Sequence, residues 1–149
     1  VDGWSVFCSD LLEQMDPQVL DHYAKGASAA GSPTLAVLNA DDDFLSFDLY
    51  EKGEAVAVFN SCPGAYAEAP SEEEMKPQLR GLDRFAALNA GCNPGALETT
   101  FLTPSYMAVD LHADLVRLLG LPDYSIGIGA RYLARGECLV PLTDWALLD

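Results

Sequence analysis

Two of the four cysteines stand where a thiol has a chemical use. Cys92 precedes Asn93-Pro94, a helix-start sequence, and Cys62 lies in Asn60-Ser-Cys-Pro-Gly64 at the end of an apolar stretch. A cysteine nucleophile must be a thiolate, made by a neighbouring base or by the positive end of a helix. His22 and His112 are the imidazoles available, and no spacing ties either one to a cysteine. An acidic environment also raises a thiol's pKa. Cys62 and Cys92 are therefore the nucleophile candidates of a competing reading, a small cysteine-dependent enzyme, while buried or boundary thiols are the expectation. His112, between Leu111 and Ala113 on the flank of a helix, is expected at or near the surface.

The acidic triplet Asp41-Asp42-Asp43 suggests a cation site. Counted from Asn39, positions 1, 3 and 5 match an EF-hand loop, but position 6 is Phe44 instead of glycine and position 12 is Tyr50 instead of glutamate. The pattern fails where calcium geometry is most demanding. Three aspartates between strands read more simply as a solvated turn. Cysteines separated by 54, 30 and 46 residues, with only two histidines beside them, give no zinc spacing. No nucleophile elbow or phosphate loop is present, and Gly127-Ile-Gly129 has Tyr132 where a dinucleotide fingerprint needs its third glycine. No metal and no cofactor are expected.

Charge carries the stronger signal. Residues 1–75 hold fifteen acidic side chains and two basic ones, a net −13, and the whole chain of 149 residues stands at −15. Such a field repels phosphate-rich surfaces and attracts basic ones, so nucleic acid is not an expected partner. No apolar run approaches the roughly 20 residues that span a bilayer, so no membrane partner is expected either. Four scattered thiols fit free cysteines in the reducing cytoplasm.

The elements that must position these residues are legible in part. Leu35-Ala-Val-Leu38, the alternating Phe44–Tyr50, and Ala55–Phe59 form three strands joined by tight turns, the second being Glu51-Lys-Gly-Glu54. Leu45, Phe47 and Leu49 point to one face, and Ser46, Asp48 and Tyr50 to the other, which is expected to be partly wet. Asp16-Pro17 starts a helix ending around Gly26–Gly31. Trp4–Cys8 is a candidate strand, followed by a short helix from Ser9 to Met15. Ser71-Glu-Glu-Glu74 has capping-box spacing, with Pro77 limiting any helix there.

Gly81–Asn89 fits a short helix with Leu82, Phe85, Ala86 and Leu88 inward, and Asn93-Pro94 starts another, through Leu97. Ser105–Leu119 is the longest helical pattern, stopped by Gly120 and Pro122. Ala130–Arg135 has no decided element, and Thr143 is a candidate cap for a last turn. The pairs Arg80/Arg84 and Arg131/Arg135 are read as intramolecular partners of the acidic half.

Residues 34–66 resemble a segment of small uncharacterised bacterial α+β proteins, in which a two-turn meander ends in N-S-x-P followed by an aromatic. Here the matching residues are Asn60, Ser61, Pro63 and Tyr66, with Gly64-Ala65 as an extra spacer, and the likeness covers about a fifth of the chain. The resemblance implies a fold and no activity.

These readings converge on a single α+β domain: a three-stranded antiparallel β meander packed by several short helices and one long one. The expected function is a non-enzymatic acidic module binding a basic protein surface, inhibitor-like or of the immunity type. Its expected contacts, on or near the meander turns, are Asp41, Asp42, Asp43, Asp48, Glu51 and Glu54. Two further alternatives are a calcium-responsive module at the Asp41–Asp43 turn and an acidic domain whose charge serves solubility alone.

Overall fold

The computed structural model describes residues 3–7, 12–40, 43–64, 71, 73–74, 76–104, 107–126 and 135. After a 3-10 turn at Leu12–Gln14, helix α1 (Pro17–Ala29) leads into strands β1 (Thr34–Ala40), β2 (Phe44–Glu51) and β3 (Glu54–Asn60). A short strand β4 (Gln78–Arg80) follows. Helices α2 (Leu82–Ala86), α3 (Pro94–Leu102) and α4 (Ala108–Leu119) and a 3-10 turn at Asp123–Ser125 complete the described order.

Helix α1 begins as its cap dictates. Asp16 is extended and its carboxylate accepts the Gln18 amide at 2.8 Å, while Pro17 takes the first helical position, where a missing N–H costs nothing. The helix passes through Gly26 and ends at Ala29, at the far limit of the expected range. The meander has the expected order and antiparallel sense, with Leu35 opposite Leu49 and Phe47 opposite Phe59. Its second turn is a two-residue hairpin with positive φ at both Lys52 (53°) and Gly53 (83°), a backbone sense that matches strand twist. A bulge on β3 inserts Val56 between Ala55, opposite Tyr50, and Ala57, opposite Leu49.

Among the described residues the sheet has four strands instead of the expected three, in the order β1-β2-β3-β4. Gln78-Leu79-Arg80 has one apolar residue and no alternation to read, so its strand character comes from the neighbour it joins: Leu79 pairs with Phe59 and Arg80 with Val58. Gly81 follows in a left-handed conformation (φ 70°), and a Cβ there would lie 2.4 Å from the Val56 carbonyl oxygen, at the bulge. Glycine is required at this junction by both backbone sign and space.

One face of the sheet carries the main core. Leu45, Phe47, Leu49, Ala57 and Phe59 pack against Phe85 of α2, Leu97 and Phe101 of α3, and Leu111, Leu115 and Leu119 of α4. The Phe101 ring lies 4.6 Å from Phe59 and 5.1 Å from Phe85, centroid to centroid, in tilted contacts. The opposite face, expected to be partly wet, is covered over β1 and part of β2 by α1, through Leu20 and Ala24 against Ala36, Leu38, Phe44 and Tyr50.

Other expectations fare variously. Residues 4–7 are not a strand, and Leu12–Gln14 is a single 3-10 turn. Ser71 and Glu74 exchange the reciprocal bonds of a capping box, Ser71 N–H to Glu74 Oε2 at 2.8 Å and Glu74 N–H to Ser71 Oγ at 3.3 Å, yet residues 73–74 form a turn and not a helix. Helix α3 continues five residues past the expected Leu97, to Leu102. Helix α4 starts at Ala108, three residues after the expected Ser105, and ends at Leu119 with Gly120 as its left-handed cap.

His112 is the clearest reversal, buried at 4% exposure on the core side of α4 instead of at the surface. Its ring stands edge-on to Phe47, 5.5 Å between centroids at 77°. The expectations for residues 130–134 and for Thr143 lie outside the described residues, as do Cys8, Cys138, Asp41, Asp42 and Arg131. Among the described residues no helix is long and apolar enough to cross a membrane.

Candidate functional site

Strand alternation sends Phe44, Ser46, Asp48 and Tyr50 to the α1 side of the sheet, where they stand beside Leu38 of β1 and Asn60 of β3. Helix α1 crosses above with Pro17, Leu20 and Asp21. These nine residues line a cleft of about 260 Å³. Its floor is mixed: Phe44 and Tyr50 are each only 4% exposed and present aromatic walls, Leu20 and Leu38 present aliphatic ones, and Asp21, Ser46, Asp48 and Asn60 supply the polar atoms.

The two carboxylates sit in different environments. Asp21 accepts Lys25 Nζ at 2.7 Å one helical turn away and the Tyr50 hydroxyl at 2.9 Å from across the cleft. The ammonium of Lys25, with smaller help from the Tyr50 phenol, holds its carboxyl below the usual range. Tyr50 is pushed well above its ordinary value, by burial first and by its bond to Asp21 second. Asp48 is pushed up to about 6, because burial penalises its ionised form. The Ser46 hydroxyl, which donates to Asp48 Oδ2 at 3.2 Å, and the Phe59 amide pull the other way without compensating. The cation acting on Asp48 is Arg80, from across β3 on β4, and its influence is weak.

The expected contact residues do not form one patch. The turn that ends at Asp43 and the turn flanked by Glu51 and Glu54 close opposite ends of β2, whose eight residues span about 25 Å. Asp43 is exposed and its amide donates to the Ala40 carbonyl at 2.9 Å, as a turn residue should. Glu51 lies opposite Glu54 and forms an ion pair with Arg84 of α2. Asp48 is not at a turn: it stands mid-strand, half-buried, on the floor of the cleft. Asp41 and Asp42 fall outside the described residues.

The cysteine candidates are free thiols, and both are half-buried. The Cys92 amide donates to the Asn89 carbonyl at 2.9 Å, and burial pushes its thiol up, opposite to what a nucleophile needs. The oxygen at the α3 N-terminus comes from Asn93, whose Oδ1 accepts the Gly95 and Ala96 amides. Among the described residues no three His, Cys, Asp or Glu side chains converge as a metal set.

Asp21, Ser46, Tyr50 and Asn60 were not singled out as site residues from sequence. The alternation of β2 was the available signal for Ser46 and Tyr50. Nothing in the sequence indicated that α1 would bring Asp21 over them. No family model matches the chain, and no curated protein or solved structure matches it.

Proposed function

We propose that this chain is an acidic, non-enzymatic binding module that occludes a basic surface on a protein partner, in the manner of an inhibitor or immunity-type antidote. The observation that carries the reading is the net −13 of residues 1–75, where fifteen acids meet two bases. One of those bases, Lys25, is already paired with Asp21. Three basic side chains elsewhere are paired as well, Arg84 to Glu51, Lys76 to Glu73 and Arg117 to Asp114, each with an acid of the same chain. A field of this sign accelerates encounter with a cationic protein and weakens as salt screens it.

The test is capture from the source lysate on immobilised protein at low ionic strength, elution by a salt step, identification of the eluted protein, and measurement of its affinity after purification. The expected result is a basic protein whose association rate falls steeply through physiological salt, and whose retention is lost in a variant with Asp41, Asp42 and Asp43 all changed to Asn. An eluate without basic proteins at low salt, or binding indifferent to salt, would sink the reading.

A further inference from the structure

The cleft between α1 and β2 has a use that net charge alone does not give it. Asp48 is a carboxylate held on the floor of a concavity, with a hydroxyl donor from Ser46, an amide donor from Phe59 and, among the described residues, no cation in contact. Among the described residues, the charged groups facing it come from α1 and β4. On α1, Asp21 is already occupied by Lys25 and Tyr50; on β4, Arg80 is exposed and acts only from a distance. A carboxylate has about four acceptor positions, so Asp48 retains acceptor capacity after the Ser46 and Phe59 bonds. A half-buried charge without a counterion is costly, and a cation delivered from outside removes that cost.

The walls specify what kind of cation. At about 260 Å³ the cleft is smaller than the roughly 300–1,000 Å³ pockets that hold drug-sized ligands, so it suits one side chain or a small group. Phe44 and Tyr50 offer aromatic surface, and Leu20, Leu38 and Pro17 offer aliphatic surface for an alkyl stem. A guanidinium is weakly hydrated, planar and able to donate two bonds to one carboxylate while stacking on a ring, which suits a half-buried site better than a strongly hydrated ammonium. We propose that the cleft receives one arginine side chain of the basic partner, its guanidinium on Asp48 and its stem against Leu20 and Leu38. This inference rests on the function proposed above.

It is tested with N-acetyl-arginine amide as the probe, followed by amide chemical shifts of the intact chain. Binding at about millimolar strength is expected, with shifts centred on Ser46, Asp48 and Asn60. N-acetyl-lysine amide should bind more weakly and the neutral isostere N-acetyl-citrulline amide not at all. Asp48→Asn keeps the shape of the side chain and should weaken the arginine probe at least about tenfold. Leu20→Phe fills the cleft without touching Asp48 and should do the same, which provides a second route if Asp48→Asn does not fold. Absence of cleft shifts, equal binding by the lysine or citrulline probe, or probe affinity unchanged in both variants overturns the inference. A captured basic partner whose affinity is unchanged in both variants also overturns it while leaving the proposed function standing. Absence of any basic partner removes both.

Discussion

Tyr50 donates its phenolic hydrogen to Asp21 at 2.9 Å, from a strand residue to the helix that lies over it. The bond makes the two carboxylates of the cleft inequivalent. Asp21 is committed to Lys25 and Tyr50, whereas Asp48, on the same strand as Tyr50, is bonded among the described residues to the Ser46 hydroxyl and the Phe59 amide, both neutral. Attraction for an incoming cation is concentrated on the carboxylate that, among the described residues, has no ammonium or guanidinium bonded to it.

Removing the phenol separates those roles. Tyr50→Phe should cost about 1 kcal/mol in chemical denaturation, since Asp21 keeps Lys25 and remains open to water. Binding of the arginine probe should change less than twofold, because Asp48 is untouched.

Probe binding should depend on pH with a definite sign. Asp48 ionises around pH 6, so affinity for N-acetyl-arginine amide should be full above pH 7 and fall as pH drops through about 6. Titration of the probe between pH 5 and 8 checks this, and Asp48→Asn should give a flat profile.

His112 and Asp48 oppose each other in the stability of the fold. Burial lowers His112 from 6.5 to about 4, so the unfolded chain takes up the proton first, and stability held above pH 6.5 is lost as pH falls towards 4, by about 3 kcal/mol. Asp48 is raised from 3.8 to about 6, so the folded chain takes up its proton first, and that contribution grows over nearly the same interval. The two largely cancel. Among the described residues neither ring nitrogen of His112 has a hydrogen-bond partner, so His112→Leu should be stabilising at pH 7 by about 1–2 kcal/mol. The same variant should gain further stability from pH 6.5 to 4, measured by urea denaturation at each pH.

Two glycines should respond in opposite directions to the same substitution. Gly81→Ala places a Cβ 2.4 Å from the Val56 carbonyl oxygen at positive φ and should cost more than about 2 kcal/mol. Gly26→Ala lies within α1, with nothing within 4 Å of the new methyl, and should stabilise by about 0.5–1 kcal/mol. Thermal melts of the two variants decide both.

What was legible in the sequence was the part governed by local chemistry. Asp16-Pro17, the alternation from Phe44 to Tyr50 and the Lys52-Gly53 turn each dictate their conformation over a few residues, and they appear as read. Of the apolar positions in the Ser105–Leu119 pattern, Leu111, Leu115 and Leu119 are buried, whereas Met107 precedes the helix and is exposed. Strand β4 was illegible because three residues with one apolar side chain carry no period; β3 decides their conformation. The burial of His112 was hidden because its place on the helix flank did not show which neighbours would close over it. The cleft was half visible: β2 put Asp48 and Tyr50 on a common face, but only packing shows that Asp21 of α1 lies above them. The acids near the two turns lie at opposite ends of the sheet for a topological reason, since successive turns of a meander face opposite ends.

The buried hydroxyl of Ser28 accepts the amide of Gly53 at 3.0 Å while donating to the Lys25 carbonyl. A turn amide ordinarily exchanges with solvent almost freely, but this one is shielded as long as α1 rests on the sheet. Helix detachment and hairpin fraying are thereby joined into one event, and the exchange rate of a single proton at Gly53 becomes a clock for how often the roof of the cleft lifts.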